Sequence, residues 1–189
     1  MARSNKSSAA LPLALELLAN DHRKVEALFA RYEEEKEDGA DSRGELARRI
    51  CSELTAHTRL EEEIFYPWLR ENLDADASDL IEEALVEHAS AKDLIAQLEG
   101  ARVDETYDAK VKVLGEYVRH HVQEEENEIF PQVAGDSEAL DELGQEMHAR
   151  KAELTEELGL PEPGEEEGAM GMAMRGRRSE RQSARRSAH

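Results

Sequence analysis

The chain has 189 residues, with 44 acidic and 24 basic side chains and a net charge of −20. That length allows one domain with a real core, and a field of that sign repels nucleic acid and anionic membrane, so neither is expected as a partner. The single cysteine, Cys51, excludes an intrachain disulfide framework and any cysteine-rich zinc or iron–sulfur site, and it fits a reducing, cytoplasmic setting.

Residues 1–10 are small and polar and are expected to be disordered. The apolar stretch near 9–19 is broken by Pro12 and Glu16; it is too short to span a membrane and does not read as a cleaved leader. Leu11, Leu15, Leu18, His22, Val25 and Phe29 then recur at helical steps on one face. The stretch DGADSRG at 38–44 reads as a turn. A second helix carries Leu46, Ile50, Leu54, His57, Leu60, Glu61, Ile64 and Trp68 on one side. NLDADAS at 72–78 is the next break, with Ser78 as N-cap. A third helix shows Ile81, Leu85, His88, Ile95 and Leu98 and stops at Gly100. Asp104 caps a fourth, which carries Leu114, Tyr117, Val118, His121, Glu125 and Ile129. A fifth, shorter helix is expected over 137–158. From 161 to 189 the apolar period is lost; an acidic patch precedes six arginines in the last fifteen residues. This tail is read as disordered, with its basic end free to meet an acidic partner.

No segment alternates as a half-buried strand would. The pattern predicts an all-α protein: an antiparallel up-down four-helix bundle over 11–160 with a short C-terminal helix.

Two stretches nearly copy each other: HTRLEEEIFYP at 57–67 and HVQEEENEIFP at 121–131. Each has a His, a Glu four residues later, and a Phe and a Pro near its end. The upstream DHRKVEALF and EHASAKDLI also correspond, so that His22 and His88 are 66 apart and His57 and His121 are 64 apart. A tandem αα-hairpin with an approximate two-fold axis follows, placing one of these histidines on each helix. Phe65 with Pro67 and Phe130 with Pro131 are expected to close the bundle ends, because proline interrupts the helical ladder.

Residues four apart on a helix lie about 40° from each other. His57 and Glu61 therefore share the apolar face, as do His121 and Glu125. Glu62 and Glu63 fall about 140° and 120° away from His57 and are expected on a flank or in solvent, like Glu124 and Glu126. Two buried carboxylates among four imidazoles need compensating cations. Two metal ions answer that need, each taking two histidines, with both carboxylates able to bridge. The mixed N/O donors favour iron, and manganese or zinc also suit them.

His22, the motif H57-T-R-L-E61-E-E-I-F-Y-P, the pair EH88 and the motif H121-V-Q-E-E125-E-N-E-I-F-P together resemble the hemerythrin-like HHE cation-binding proteins, over residues 11–158. The resemblance implies a four-helix bundle around a non-haem di-iron centre. His22, His57, His88 and His121 would be terminal ligands, with Glu61 and Glu125 as bridges. The oxygen carriers of that family have a further histidine pair on the third helix; here the positions one turn from His88 are Ala84 and Lys92. That departure implies a more open iron and favours reaction with oxygen, peroxide or nitric oxide, including peroxide decomposition. Non-enzymatic oxygen or nitric oxide binding, and iron storage or delivery, are the alternatives. Tyr117 is expected to face the core, as packing or as a polar contact near the metal. His120 and His148 are expected at the surface, Glu53 on a flank, and Cys51 away from the site.

Overall fold

The computed structural model describes residues 11–35, 39–73 and 75–161, with the side chains of 75–77 left aside. The expectations for 1–10 and for the tail from 162 onward lie outside the described residues. The helices are α1 (Leu13–Glu34), α2 (Ala40–Leu60), α3 (Tyr66–Asn72), α4 (Ala75–Leu98), α5 (Glu105–Glu124), α6 (Phe130–Val133) and α7 (Ser137–Glu157). Among the described residues there is no strand. α1 packs on α2 and α5, and α4 packs on α5 and α2, which closes the four long helices into a bundle. α7 lies along α1 and also touches α2. At 21 residues it is as long as α2.

Several boundaries follow their predicted signals. Gly100 takes φ +70° just after α4, and the Asp104 side chain accepts the Tyr107 N–H at 3.0 Å to cap α5. Two boundaries differ. Gly39, at φ +102°, is the turn before α2, and the helix starts at Ala40, inside the stretch read as a turn. α4 begins at Ala75, ahead of Ser78, which therefore lies inside the helix and is not its cap.

The prolines do not close the bundle ends. The chain runs from α2 into α3 through a π-helical turn, Glu61–Phe65, and from α5 into α6 through a second, Glu125–Ile129. The Tyr66 N–H bonds to the Glu61 carbonyl and the Phe130 N–H to the Glu125 carbonyl, five residues back in each case. The wider turn absorbs the missing N–H of Pro67 and Pro131 without ending the helix. It also shifts the phase of the apolar face. Phe65 and Leu69 become fully buried in place of the predicted Ile64 and Trp68, which are only partly covered.

The core is two apolar plugs. One holds Leu15, Leu18, Phe65, Tyr66, Ile81 and Phe130, together with Leu140 and Met147 from α7. The other holds Val25, Leu28, Tyr32, Ile50, Leu54, Ile95 and Leu114. Each large side chain so buried contributes about 1.5–3 kcal/mol. Between the plugs lies a buried polar layer made of His22, His57, Glu61, His88, His121 and Glu125. That layer is costly by itself, and the plugs offset it.

Candidate metal centre

The four helices each deliver one imidazole to the same layer: α1 His22, α2 His57, α4 His88, α5 His121. Glu61 and Glu125 open the two π turns, one helical turn beyond His57 and His121, and are the most deeply buried members, at 0% and 1% exposure. The structure brings all six predicted residues together. Donor atoms of His22, His57, Glu61 and Glu125 lie within 4.8 Å of one another, and so do those of Glu61, His88 and His121.

Glu61 spans both halves. Its Oε1 is 3.2 Å from His57 Nε2 and its Oε2 is 3.3 Å from His88 Nε2. Glu125 Oε2 is 3.3 Å from His22 Nε2 and 4.0 Å from His121 Nε2. His22 and His57 form one pair, with ring centres 4.9 Å apart; His88 and His121 form the other, at 4.7 Å.

The outer nitrogen of every ring faces a carboxylate. His22 Nδ1 meets Glu126 at 2.9 Å, His88 Nδ1 meets Glu62 at 2.9 Å, and His121 Nδ1 meets Glu87 at 3.0 Å. Asp21 stands 3.8 Å from His57 Nδ1, beyond hydrogen-bond range but aimed at it. A carboxylate only accepts, so each bonded Nδ1 carries a proton, and whenever the ring is neutral its Nε2 presents a lone pair inward. The Nε2 atoms of His88 and His121 then oppose each other at 3.3 Å. His22 Nε2, His57 Nε2, both oxygens of Glu61 and Oε2 of Glu125 are buried without a hydrogen-bond partner. Inward lone pairs and carboxylate oxygens with no donor between them are an arrangement that cations complete. The donor set fits two metal ions.

The electrostatics agree. Burial pushes the Glu61 carboxyl well above its usual range, and the neighbouring Glu125 pushes it further. Burial opposes ionisation of Glu125 as well, but the close approach of His22 and the charges of the nearby imidazoles hold it below the usual range. Burial also works against charge on His22, yet Glu125, Glu61 and Glu126 overcome it and raise that imidazole to about 9. His57 is driven down to about 4, chiefly by burial. In the metal-free protein, protons take the place of cations, so metal uptake displaces them.

Sequence reasoning missed five residues. Glu62 and Glu126 lie on the flank as expected, at 26% and 32% exposure, but each follows a core glutamate and reaches across to the imidazole of the other hairpin. Asp21 and Glu87, the acids written just before His22 and His88, serve His57 and His121. Their repetition in register was the available signal. Tyr66 is the fifth. Its hydroxyl donates to Glu125 Oε1 at 3.2 Å and lies 3.4 Å from His88 Nε2. Counted from the histidine, its equivalent in the second hairpin is Phe130, which stacks on His22 instead. The two-fold symmetry is therefore broken by one hydroxyl. We expect Glu126→Gln to lower metal affinity by about 10- to 100-fold in competition with a chelator, because the His22 ring loses its anionic anchor.

Other expected positions fall as follows. Tyr117 is not buried in the core; it is 47% exposed, although it shares the face of Leu114 and His121 and lines the small cavity beside the imidazoles. His120 is on the surface, and so is His148. Glu53 is buried and paired with Lys24 at 2.7 Å, not with a site imidazole. Cys51 is buried in the second plug, and burial raises its thiol to about 11. A cavity of about 30 Å³ touches all four imidazoles and is otherwise lined mainly by apolar side chains, Val25, Leu54, Ala91 and Val118 among them. It has room for a diatomic gas or one peroxide, and for little more.

Among the described residues, no helix is long and apolar enough to cross a membrane. The hemerythrin HHE cation-binding domain family matches residues 13–133, which takes in all six inward donors. A curated relative, a DNA nickase from Nostoc sp. (strain PCC 7120 / SAG 25.82 / UTEX 2576), is 27% identical over 148 residues, covering 76% of this chain and 40% of that protein. The chain thus spans less than half the length of that relative. No solved structure matches. With the family match covering well over half the chain, and with the histidines and glutamates converging as described, this protein belongs to the hemerythrin HHE cation-binding domain family.

Proposed function

We propose that the protein is a di-iron redox protein that takes oxygen or hydrogen peroxide as its small substrate, with peroxide decomposition as the reaction to test first. The observation that carries this reading is Glu61, whose two oxygens each face an imidazole of a different pair. His22 and His57 would hold one iron, His88 and His121 the other, with Glu61 and Glu125 shared between them. Nitrogen and oxygen donors together favour iron over softer metals. A bound iron pair would supply two-electron redox chemistry and open coordination positions.

The remaining work belongs to the chain. The carboxylates behind His22, His88 and His121 hold the Nδ1 side of each ring, which aims Nε2 inward and makes it a stronger donor toward a cation. The small cavity admits a diatomic or a peroxide and excludes larger reductants. The Tyr66 hydroxyl sits among Glu125 and His88, where it can donate a hydrogen bond to an oxygen that displaces Glu125 as its acceptor. Its phenol is held neutral, since burial and the adjacent carboxylates raise it well above the usual tyrosine range. The net charge of −20 opposes a polyanion, so a nicking activity on DNA is not carried over from the relative.

The test is dioxygen release from peroxide by iron-loaded protein. Sustained release that needs two irons per chain supports the reading. A loaded protein that releases none, but whose absorption changes reversibly when oxygen or nitric oxide is removed, would replace it with simple ligand binding. Within the reading, Tyr66→Phe should leave iron content unchanged while lowering peroxide turnover by about 100-fold.

A further inference from the structure

Outside the buried layer, α5 carries a second His and Glu pair four residues apart. His120 and Glu124 each precede a core residue, so the pair is turned about 100° away from His121 and Glu125. His120 is 62% exposed, and its Nε2 lies 3.2 Å from Glu124 Oε1 and 3.7 Å from Glu87 Oε1 on α4. One donor atom from each of the three fits within 4.8 Å of the others. Glu87 is shared, because its other oxygen holds His121 Nδ1 at 3.0 Å.

A small cavity of about 10 Å³ lies between two members of this group, Glu87 and Glu124, and the core residues His121 and Glu125. Glu87 and Glu124 line it on the outer side, His121 and Glu125 on the inner side, with Leu80 and Ile129 as apolar walls. Glu125 is 1% exposed, and its Oε2 has no hydrogen-bond partner. The space is no larger than about one water, so an ion held by the outer carboxylates is a single ligand exchange from Glu125 and His121. Glu83 and Glu128 add negative charge nearby.

The first hairpin has no counterpart. The residues equivalent to His120 and Glu124 are Ala56 and Leu60. Asp21, the equivalent of Glu87, is bound instead by Lys151 of α7. A fixed ammonium closes that side to cations, whereas the α4–α5 side presents a histidine and two carboxylates.

We propose that Glu87, His120 and Glu124 form a divalent-cation site through which metal enters the buried centre. This rests on the reading of the core as a metal centre. Loading is ligand exchange only. The ion is held by the outer three, passes to Glu125 and His121, and changes no oxidation state on the way.

Co²⁺ is a suitable probe, added to the full-length metal-free protein and followed by stopped-flow visible absorption and by equilibrium dialysis. We compare wild type with His120→Ala/Glu124→Gln, which leaves the six inward donors and Glu87 in place, and with Glu61→Gln/Glu125→Gln. The outer variant should bind one Co²⁺ fewer per chain at saturation. It should fill its tight sites about tenfold more slowly, the scale of a lost electrostatic funnel, and reach the same final tight-bound content. Equal stoichiometry and equal loading rates in wild type and outer variant would overturn the proposal. Failure of the core reading looks different: Glu61→Gln/Glu125→Gln would retain as much tight Co²⁺ as wild type. The transit role would then fall for want of a destination.

Discussion

Replacing both Glu61 and Glu125 with glutamine should abolish tight metal binding, which plasma mass spectrometry of iron-loaded protein will read as metal per chain. Glutamine keeps the shape and removes the charge. The metal-free variant should be at least as stable as metal-free wild type, because two buried carboxylates with opposed or missing partners are a liability without cations. Wild type should gain what the variant cannot. Metal at a thousandfold excess over its dissociation constant adds about 4 kcal/mol, or about 8–16 °C in Tm for a chain of this size. Thermal scans with and without metal therefore separate the two roles. If the carboxylates only hold the fold, the variant melts early in both conditions. If they hold metal, only the metal-dependent gain disappears.

The second large effect lies away from the site. Gly144→Ala should lower stability, although alanine in a helix interior usually adds about 0.5–1 kcal/mol. Here α7 presses on α1: a methyl group on Gly144 would sit 2.6 Å from the Ala14 backbone nitrogen and 2.7 Å from Leu13 Cβ. Backbone cannot swing aside, so the helices must part. The overpacking cost of about 1–3 kcal/mol wins, and the expected loss in Tm is about 2–12 °C. Gly115→Ala is the control. Its methyl would meet only the Phe29 side chain, at 3.1 Å, and that ring can give. Equal melting of Gly144→Ala and wild type would show that α7 does not hold α1 this closely. The contact matters for the centre, since α1 carries Asp21 and His22, and α7 brings Lys151 to Asp21.

Much of this protein is legible in the sequence. Helical periodicity places Leu15, Leu18, Ile50, Leu54, Ile81, Ile95 and Leu114 in the core. The four-residue step puts Glu61 and Glu125 beside His57 and His121, and the duplication puts one histidine on each helix. These are matters of local geometry, which a single helix repeats every turn. The face that carries the six inward donors follows from them.

What the tertiary structure decided depends on neighbours. A turn angle cannot reveal that Glu62 reaches His88 or that Glu126 reaches His22, because those contacts cross between hairpins. Nor does a proline announce that the chain ahead of it will widen into a π turn, carrying Phe65 and Tyr66 inward. The pairing of Glu61 with both imidazole pairs, the small cavity beside the rings, the space between Glu87 and His121 and the cover provided by α7 all arise where separate helices meet. Periodicity determined which residues each helix turns inward; packing determined what each of them touches.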